Sequence, residues 1–165
     1  MKINEIQDVT IHTHGAAYQI IGSEPEKWRP TSKETADHSL PYCTAVAIRD
    51  GNVTDASFQK KNFRDLVLLR LLRKVKVVED PRYSEDYPGS FGNRLEINLH
   101  NGKKLVKEIM YPFGHPKNPM SDEDVFNKWR NLANPHLSKE QIEKQIENVM
   151  QLETLQNLDN LLPVV

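Results

Sequence analysis

The segment "RLEINLHNGKKLVKEIM", residues 94–110, constrains the fold more than any other stretch of this 165-residue chain. Two runs of alternating apolar and polar residues flank Asn101-Gly102, a pair that accepts the positive φ angles of a type I′ turn. The segment therefore predicts a β-hairpin. Its residues Leu95, Ile97 and Leu99 share one face of the first strand, which we expect to be buried, while the residues between them face outward.

Hydrophobic periodicity predicts four further elements in the first half of the chain. Period-two alternation predicts strands at about 5–13 and 74–80. Apolar residues at helical spacing predict one helix that starts near Asp37–Ser39 and stops at Asp50-Gly51, and a second helix over about 63–73. The second helix leads directly into the strand at 74–80.

The last third of the chain is predicted to be helical. Ser121 and Ser138 each precede an acidic or amide residue by three positions, the pattern of a capping box. Two capped helices are therefore expected, followed by a short one near 154–161 that ends at Pro163.

This order of elements predicts an α+β fold, an antiparallel sheet that contains the hairpin and is covered by helices. A chain of 165 residues suits one domain, 1–165. Within it, about 1–120 would form the sheet and its helices, and about 121–165 a helical tail.

Composition argues against several classes of partner. The 22 Lys and Arg nearly balance the 23 Asp and Glu, so the net charge of −1 predicts no nucleic-acid binding. The absence of a long apolar run predicts no membrane span and no signal-peptide core. The single cysteine, Cys43, excludes an intrachain disulfide and a cysteine-rich zinc module. We expect a cytoplasmic protein.

Two further features have competing interpretations. His12 and His14 are two apart on the first strand, so they would share one side as in some metal sites, but without further ligands exposed strand histidines are the simpler interpretation. Cys43 would be a nucleophile only beside an activating base, and within an apolar helical stripe it is more typical of a small core residue.

Two segments concentrate polar side chains beside helix starts. In "ETADHSLPYCTAVAIRDG", residues 34–51, His38 and Tyr42 are four apart, so one helix would place them on one face, where they form either a cap with a half-buried tyrosine or an acid–base site. In "FGHPKNPMSDED", residues 113–124, His115 and Lys117 lie in a proline-rich loop before a helix, which is either a rigid entry to the helix or an anion site.

The motif at 34–51 and the later "GHPKNPMSDEDVFNKW" together resemble the MmgE/PrpD family, which includes 2-methylcitrate dehydratases, cis-aconitate decarboxylases and an iminodisuccinate epimerase. Members of this family are far longer, with a large helical domain before a smaller α+β lid. The sequence resembles the lid and the C-terminal tail only. Where the dehydratases tend to have "RDHC-x-QY", this chain has "ADHSLPY", with the histidine and tyrosine positions matched.

The resemblance implies metal-free acid–base chemistry on a small polycarboxylate, and for a dehydratase-like member a place in propionate metabolism. It implies that Tyr42 contributes to the active-site cleft with His38 nearby. The loop of His115 and Lys117 matches a family signature whose role stays open, and we expect these two residues to bind substrate. The other catalytic residues of the family belong to the helical domain, which has no counterpart here.

Two hypotheses follow. The chain is the lid part of a cofactor-free lyase or isomerase, inactive without a helical domain supplied as a separate chain or a missing segment. Alternatively, it is a stand-alone, non-catalytic domain that binds a carboxylate or a protein partner. In either case the apolar surface of a lid without its helical domain predicts a homo-oligomer or a bound partner.

Overall fold

Four strands form one mixed sheet in the order β2-β1-β3-β4. The strands are β1 (Ile6–Thr13), β2 (Val75–Glu79), β3 (Asn93–Leu99) and β4 (Lys104–Ile109). Strand β3 is antiparallel to both β1 and β4, whereas β1 and β2 are parallel. The computed structural model describes residues 2–158 and Leu161.

The α+β class is confirmed, and the sheet is mostly antiparallel. The parallel pairing of β1 with β2 differs from the expected antiparallel sheet. Parallel neighbours need a long crossover connection, and the segment between these two strands supplies it with four helices. Local sequence patterns do not report which strands pair across such a distance.

Five helices belong to the same part of the chain. They are α1 (Gly15–Ile21), α2 (Lys33–Asp37), α3 (Leu40–Asp50), α4 (Leu66–Leu72) and α5 (Pro81–Asp86). The helices predicted at 37–51 and 63–73 are confirmed as α3 and α4. The sequence did not predict the other three, which have five to seven residues each.

The hydrophobic core lies between one face of the sheet and helices α3 and α4. Its fully buried residues include Val9 on β1, Val46 on α3 and Leu68 on α4. Each such side chain contributes about 1.5–3 kcal/mol relative to an exposed one. The sheet and these two helices therefore form a rigid support for the segments that enter and leave α3.

The predicted hairpin is present as β3 and β4. Ile97 and Leu99 are buried and Leu95 is partly buried, as expected from the alternation. On the opposite face, Glu96 lies 2.6 Å from the Lys104 ammonium, a hydrogen bond that lowers the pKa of the Glu96 carboxyl. Gly102 has a φ of +81°, but the φ of Asn101 is not positive, so the expected type I′ turn is wrong. The Gly102 N–H instead donates to the Leu99 carbonyl oxygen at 2.9 Å.

The described residues from Phe113 onward form a second compact unit, and those up to Pro112 form the first. Its helices are α6 (Asp122–Ala133) and α7 (Lys139–Met150). The predicted caps are confirmed, since Ser121 and Ser138 both complete capping boxes. The single domain over 1–165, with a sheet and its helices up to about 120 and a helical tail after it, stays a prediction.

The short helix predicted near 154–161 is not observed. A 3-10 turn covers Leu152–Thr154, and residues 155–158 are not helical, while 159, 160 and Pro163 lie outside the described residues. Among the residues that the structure describes, none of the helices has the length and apolar character needed to cross a bilayer.

Candidate functional site

The start of helix α3 is organised by Ser39 as its N-cap. The Ser39 hydroxyl accepts a hydrogen bond from the Tyr42 backbone N–H at 3.0 Å and donates one to the Lys27 carbonyl at 2.5 Å. Pro41 lies in the first turn, where a missing N–H costs no intrahelical bond. The cap therefore separates His38, which precedes it, from Tyr42, which follows it.

His38 ends helix α2 and forms a dyad with its neighbour Asp37. Its Nδ1 lies 2.6 Å from Asp37 Oδ1 and 3.1 Å from the Glu34 carbonyl oxygen. Both partners are acceptors, so Nδ1 carries the proton and Nε2 is the nitrogen left to gain or lose one. The hydrogen bond to Asp37 raises the pKa of His38, and 70% of the imidazole side chain is exposed. The dyad is thus an accessible acid–base group.

Tyr42 is fully buried, and its hydroxyl is already engaged. The hydroxyl donates to the Ser57 carbonyl oxygen at 2.8 Å, and burial raises the pKa of Tyr42 to about 12. The rings of Phe58 and Phe63 lie 6.2 and 5.9 Å from the phenol ring, centre to centre. The expectation that one helix places His38 and Tyr42 on one face is wrong, because the chain changes helix between them.

Cys43 has the features of a small packing residue. Its thiol is half-buried and donates to the Ala36 carbonyl oxygen at 3.6 Å. Burial raises the pKa of the thiol to about 11, so little thiolate forms near neutral pH. This agrees with the interpretation of Cys43 as a core residue rather than a nucleophile.

The two N-terminal histidines do not share one side of a strand. His12 lies on β1, 3.7 Å from Glu96, whereas His14 lies beyond the strand and caps α1, with Nδ1 accepting from the Ala17 N–H. His14 is buried and stacks on Tyr87 at 4.4 Å. The expectation of two exposed strand histidines is therefore wrong for His14, since β1 ends at Thr13. Within the described part of the chain, no cluster of three or more His, Cys, Asp or Glu side chains is placed to hold a metal ion.

His115 and Lys117 lie in a tight turn of the second unit. The turn is closed by backbone hydrogen bonds between Gly114 and Asn118 and between Asn118 and His115, at 2.8 and 2.7 Å. His115 Nδ1 accepts from the Lys117 backbone N–H at 3.1 Å, and Gly114 has a φ of +96°. The turn holds the imidazole and the ammonium-bearing residue two positions apart, on a different unit from the Asp37–His38 dyad.

Asp37 was missing from the site residues that the sequence indicated. Its position directly before His38 was visible, but the proposed helix would have turned it to another face. Ser57, the acceptor of the Tyr42 hydroxyl, left no signal, because it acts through its backbone carbonyl.

Comparison with known proteins gives a consistent set of relatives. The model of the MmgE/PrpD C-terminal domain matches residues 1–153. The chain is 31% identical over 131 residues to a cis-aconitate decarboxylase of Mus musculus, covering 78% of the chain and 26% of that protein. It is 27% identical over 144 residues to a 2-methylcitrate dehydratase of Salmonella typhi, covering 83% and 29%. A 2-methylcitrate dehydratase of Cupriavidus necator is 31% identical over 119 residues, covering 68% and 24%.

The chain thus spans only about a quarter of the length of these curated relatives. The family match, by contrast, covers nearly all of the chain, including both motifs that carry the resemblance. The chain belongs to the MmgE/PrpD family, of which it carries the C-terminal domain.

Proposed function

We propose that this chain is the lid part of a cofactor-free lyase or isomerase that acts on a small polycarboxylate. Membership of the family supports the class of enzyme, and the names of the relatives indicate the class of substrate, since cis-aconitate and 2-methylcitrate are both tricarboxylates. A dehydration or an epimerisation begins with removal of a proton α to a carboxylate and ends with loss of water or with reprotonation. In a decarboxylation, loss of CO₂ leaves an electron pair on carbon, which takes up a proton.

The observation that carries the proposal is the Asp37–His38 dyad. A proton-transfer group must be accessible and have a pKa near the working pH. His38 is exposed, and the Asp37 hydrogen bond, which raises its pKa, favours the protonated imidazole. In the proposed reaction His38 Nε2 donates a proton to the leaving group or the intermediate. Asp37 holds the tautomer and stabilises the positive charge, as a positioning residue.

Tyr42 has a more conditional role in the proposal. Its hydroxyl acts on substrate only after leaving the Ser57 carbonyl oxygen. That carbonyl would not be left without a donor, because the Asn62 side-chain amide also donates to it at 3.1 Å. A shift of the Asp55–Phe58 turn would therefore free the hydroxyl without leaving a buried acceptor unpaired.

His115 and Lys117 are proposed to bind a substrate carboxylate. A lysine ammonium and an imidazole two residues apart on a closed turn suit an anion. Their contribution would then be to binding more than to proton transfer.

The proposed enzyme needs a helical domain, because about three quarters of the relatives' length has no counterpart in this chain. Exposed apolar side chains of the first unit support association with that domain or with a second copy. Ile20, Leu66 and Val106 are 66%, 67% and 55% exposed. Sedimentation across micromolar concentrations should show a homo-oligomer or a complex, and a strict monomer without a partner would oppose this part of the proposal. The single cysteine supports a reducing compartment, the cytoplasm.

The test is turnover of 2-methylcitrate and of cis-aconitate by the chain alone and by the chain with a helical domain of the family. We expect activity with the helical domain and none without it, since the remaining acid–base groups lie outside this chain. Appreciable turnover by the chain alone would refute the lid role.

The buried, hydrogen-bonded Tyr42 favours one alternative, a non-catalytic domain that binds a carboxylate or a protein. Binding of either acid without turnover in any combination would support that alternative.

A further inference from the structure

A cleft in the first unit, apart from the candidate functional site, is lined by two arginines and two aromatic rings. It has a volume of about 410 Å³, and Arg29, Arg73, Trp28 and Phe63 lie on its walls. The Asp37–His38 dyad, Tyr42, His115 and Lys117 do not line it. The cleft is therefore lined by other residues than those used in the proposed function, although the Phe63 ring also lies 5.9 Å from the Tyr42 ring.

The arginines are brought together by a long-range hydrogen bond. Trp28 Nε1 donates to the Val75 carbonyl oxygen at 2.9 Å, although the two residues are 47 positions apart. Arg29 follows Trp28 directly, and Arg73, the C-cap of α4, precedes Val75 by two residues. Arg29 is held further by its backbone N–H, which donates to the Glu26 carbonyl at 2.9 Å. The backbone thus positions both guanidinium groups at one cleft.

Neither guanidinium has an acidic partner among residues 2–158, and neither makes a side-chain hydrogen bond there. Three other arginines of the same unit do have acidic partners, as Arg49 has with Asp50, Arg82 with Asp80 and Arg94 with Glu96. Two like charges on the walls of one cleft repel each other, and an anion between them would remove that repulsion.

The residues on the cleft walls also indicate the chemical groups of a ligand that would bind there. Guanidinium groups bind carboxylate and phosphate through paired N–H donors. The faces of Trp28 and Phe63 suit a flat apolar group. We propose that the cleft of Arg29 and Arg73 binds a small organic dianion, a carboxylate or phosphate, whose apolar part packs against Trp28 and Phe63.

Tryptophan fluorescence gives a direct readout. The chain has two tryptophans, so Trp129→Phe leaves Trp28 as the sole emitter. This chain would be titrated at constant ionic strength with phenyl phosphate and with phthalate, to distinguish the phosphate from the dicarboxylate. Inorganic phosphate tests the charge without the ring, and benzyl alcohol the ring without the charge. Circular dichroism would verify that each variant is folded.

We expect saturable change in Trp28 emission with at least one aromatic dianion, at about tenfold or more higher affinity than inorganic phosphate or benzyl alcohol. Arg29→Gln and Arg73→Gln should each weaken binding about tenfold or more, because each removes a charge-assisted contact. Arg70→Gln is the matched control. Arg70 is exposed on α4, the helix whose C-cap is Arg73, but it does not line the cleft. Its substitution should change the affinity less than about twofold, because it removes only a salt-screened, long-range attraction.

No saturable binding of either aromatic dianion, or equal binding by the folded Arg29→Gln/Arg73→Gln double variant, would overturn the proposal. Equal weakening by Arg70→Gln would also overturn it, because the effect would then be general surface charge.

Discussion

The Tyr42 hydroxyl lies 2.8 Å from the Ser57 carbonyl oxygen and donates a hydrogen bond to it. This contact ties the first turn of α3 to the 3-10 turn Asp55–Phe58, across 15 residues of chain. The residue that the family resemblance assigns to the active-site cleft is therefore, within the first unit, part of the packed core. Two measurements on one substitution separate these roles.

Tyr42→Phe should lower the free energy of unfolding by about 0.5–1.5 kcal/mol, the net value of one hydrogen bond. The loss stays small because the ring is retained and Ser57 keeps the hydrogen bond from Asn62. Urea unfolding measures it, with Tyr87→Phe as a control on an exposed tyrosine that should be silent. A loss above about 3 kcal/mol would contradict the expectation, since it would require a larger rearrangement of the core.

The same substitution should lower turnover about a hundredfold in an assembly that contains the helical domain, as expected when a hydrogen-bond donor to the transition state is removed. Initial rates with 2-methylcitrate and cis-aconitate provide the measurement. Unchanged rates in a variant that still binds substrate would leave Tyr42 with its structural role alone.

Cys43 should react slowly. Because burial raises the pKa of its thiol from 9.0 to about 11, the thiolate fraction at pH 8 is about a hundredfold lower than in the unfolded chain. Alkylation by iodoacetamide, compared with and without urea, checks this. A folded-chain rate equal to or above the rate in urea would show instead an activated cysteine.

The pKa values of His14 and His38 should be shifted in opposite directions from that of a free imidazole. Burial lowers the pKa of His14, and the Asp37 hydrogen bond raises that of His38. The His38 contribution to stability is therefore present below pH 6.5 and is lost as pH rises through its folded-state pKa. The His14 contribution is present above pH 6.5 and is lost as pH falls through its lower folded-state pKa. NMR titration of both imidazoles tests the order, and Asp37→Asn should lower the pKa of His38 while that of His14 stays unchanged. The reverse order would contradict the described geometry.

The elements that the sequence predicted well carry their own stop and start signals. Ser121 and Ser138 cap α6 and α7, and the Asn101-Gly102 turn forms the hairpin. These are local interactions, so a short window of sequence contains all the partners. Gly51, with a φ of +79°, marks the end of α3 for the same reason.

The parts that the sequence did not predict depend on distant partners. The Ser57 carbonyl oxygen accepts a hydrogen bond from the Tyr42 hydroxyl, 15 residues away in the sequence. The Val75 carbonyl oxygen accepts one from the Trp28 indole N–H, 47 residues away. The break between α2 and α3 was missed because the sequence did not predict α2, which ends at Asp37, two residues before the Ser39 cap of α3. That break decides which of His38 and Tyr42 is exposed, so the sequence alone did not predict the geometry of the candidate site.

The most direct test of the account is the rate of the His38→Gln variant in the assembly of this chain with its helical domain. We predict that kcat for 2-methylcitrate or cis-aconitate falls about a hundredfold or more in a variant that circular dichroism shows to be folded, because His38 transfers the proton. His100→Gln removes another exposed histidine, at the hairpin turn, and should leave kcat unaltered. Full turnover by the His38→Gln variant would contradict the acid–base role of the Asp37–His38 dyad.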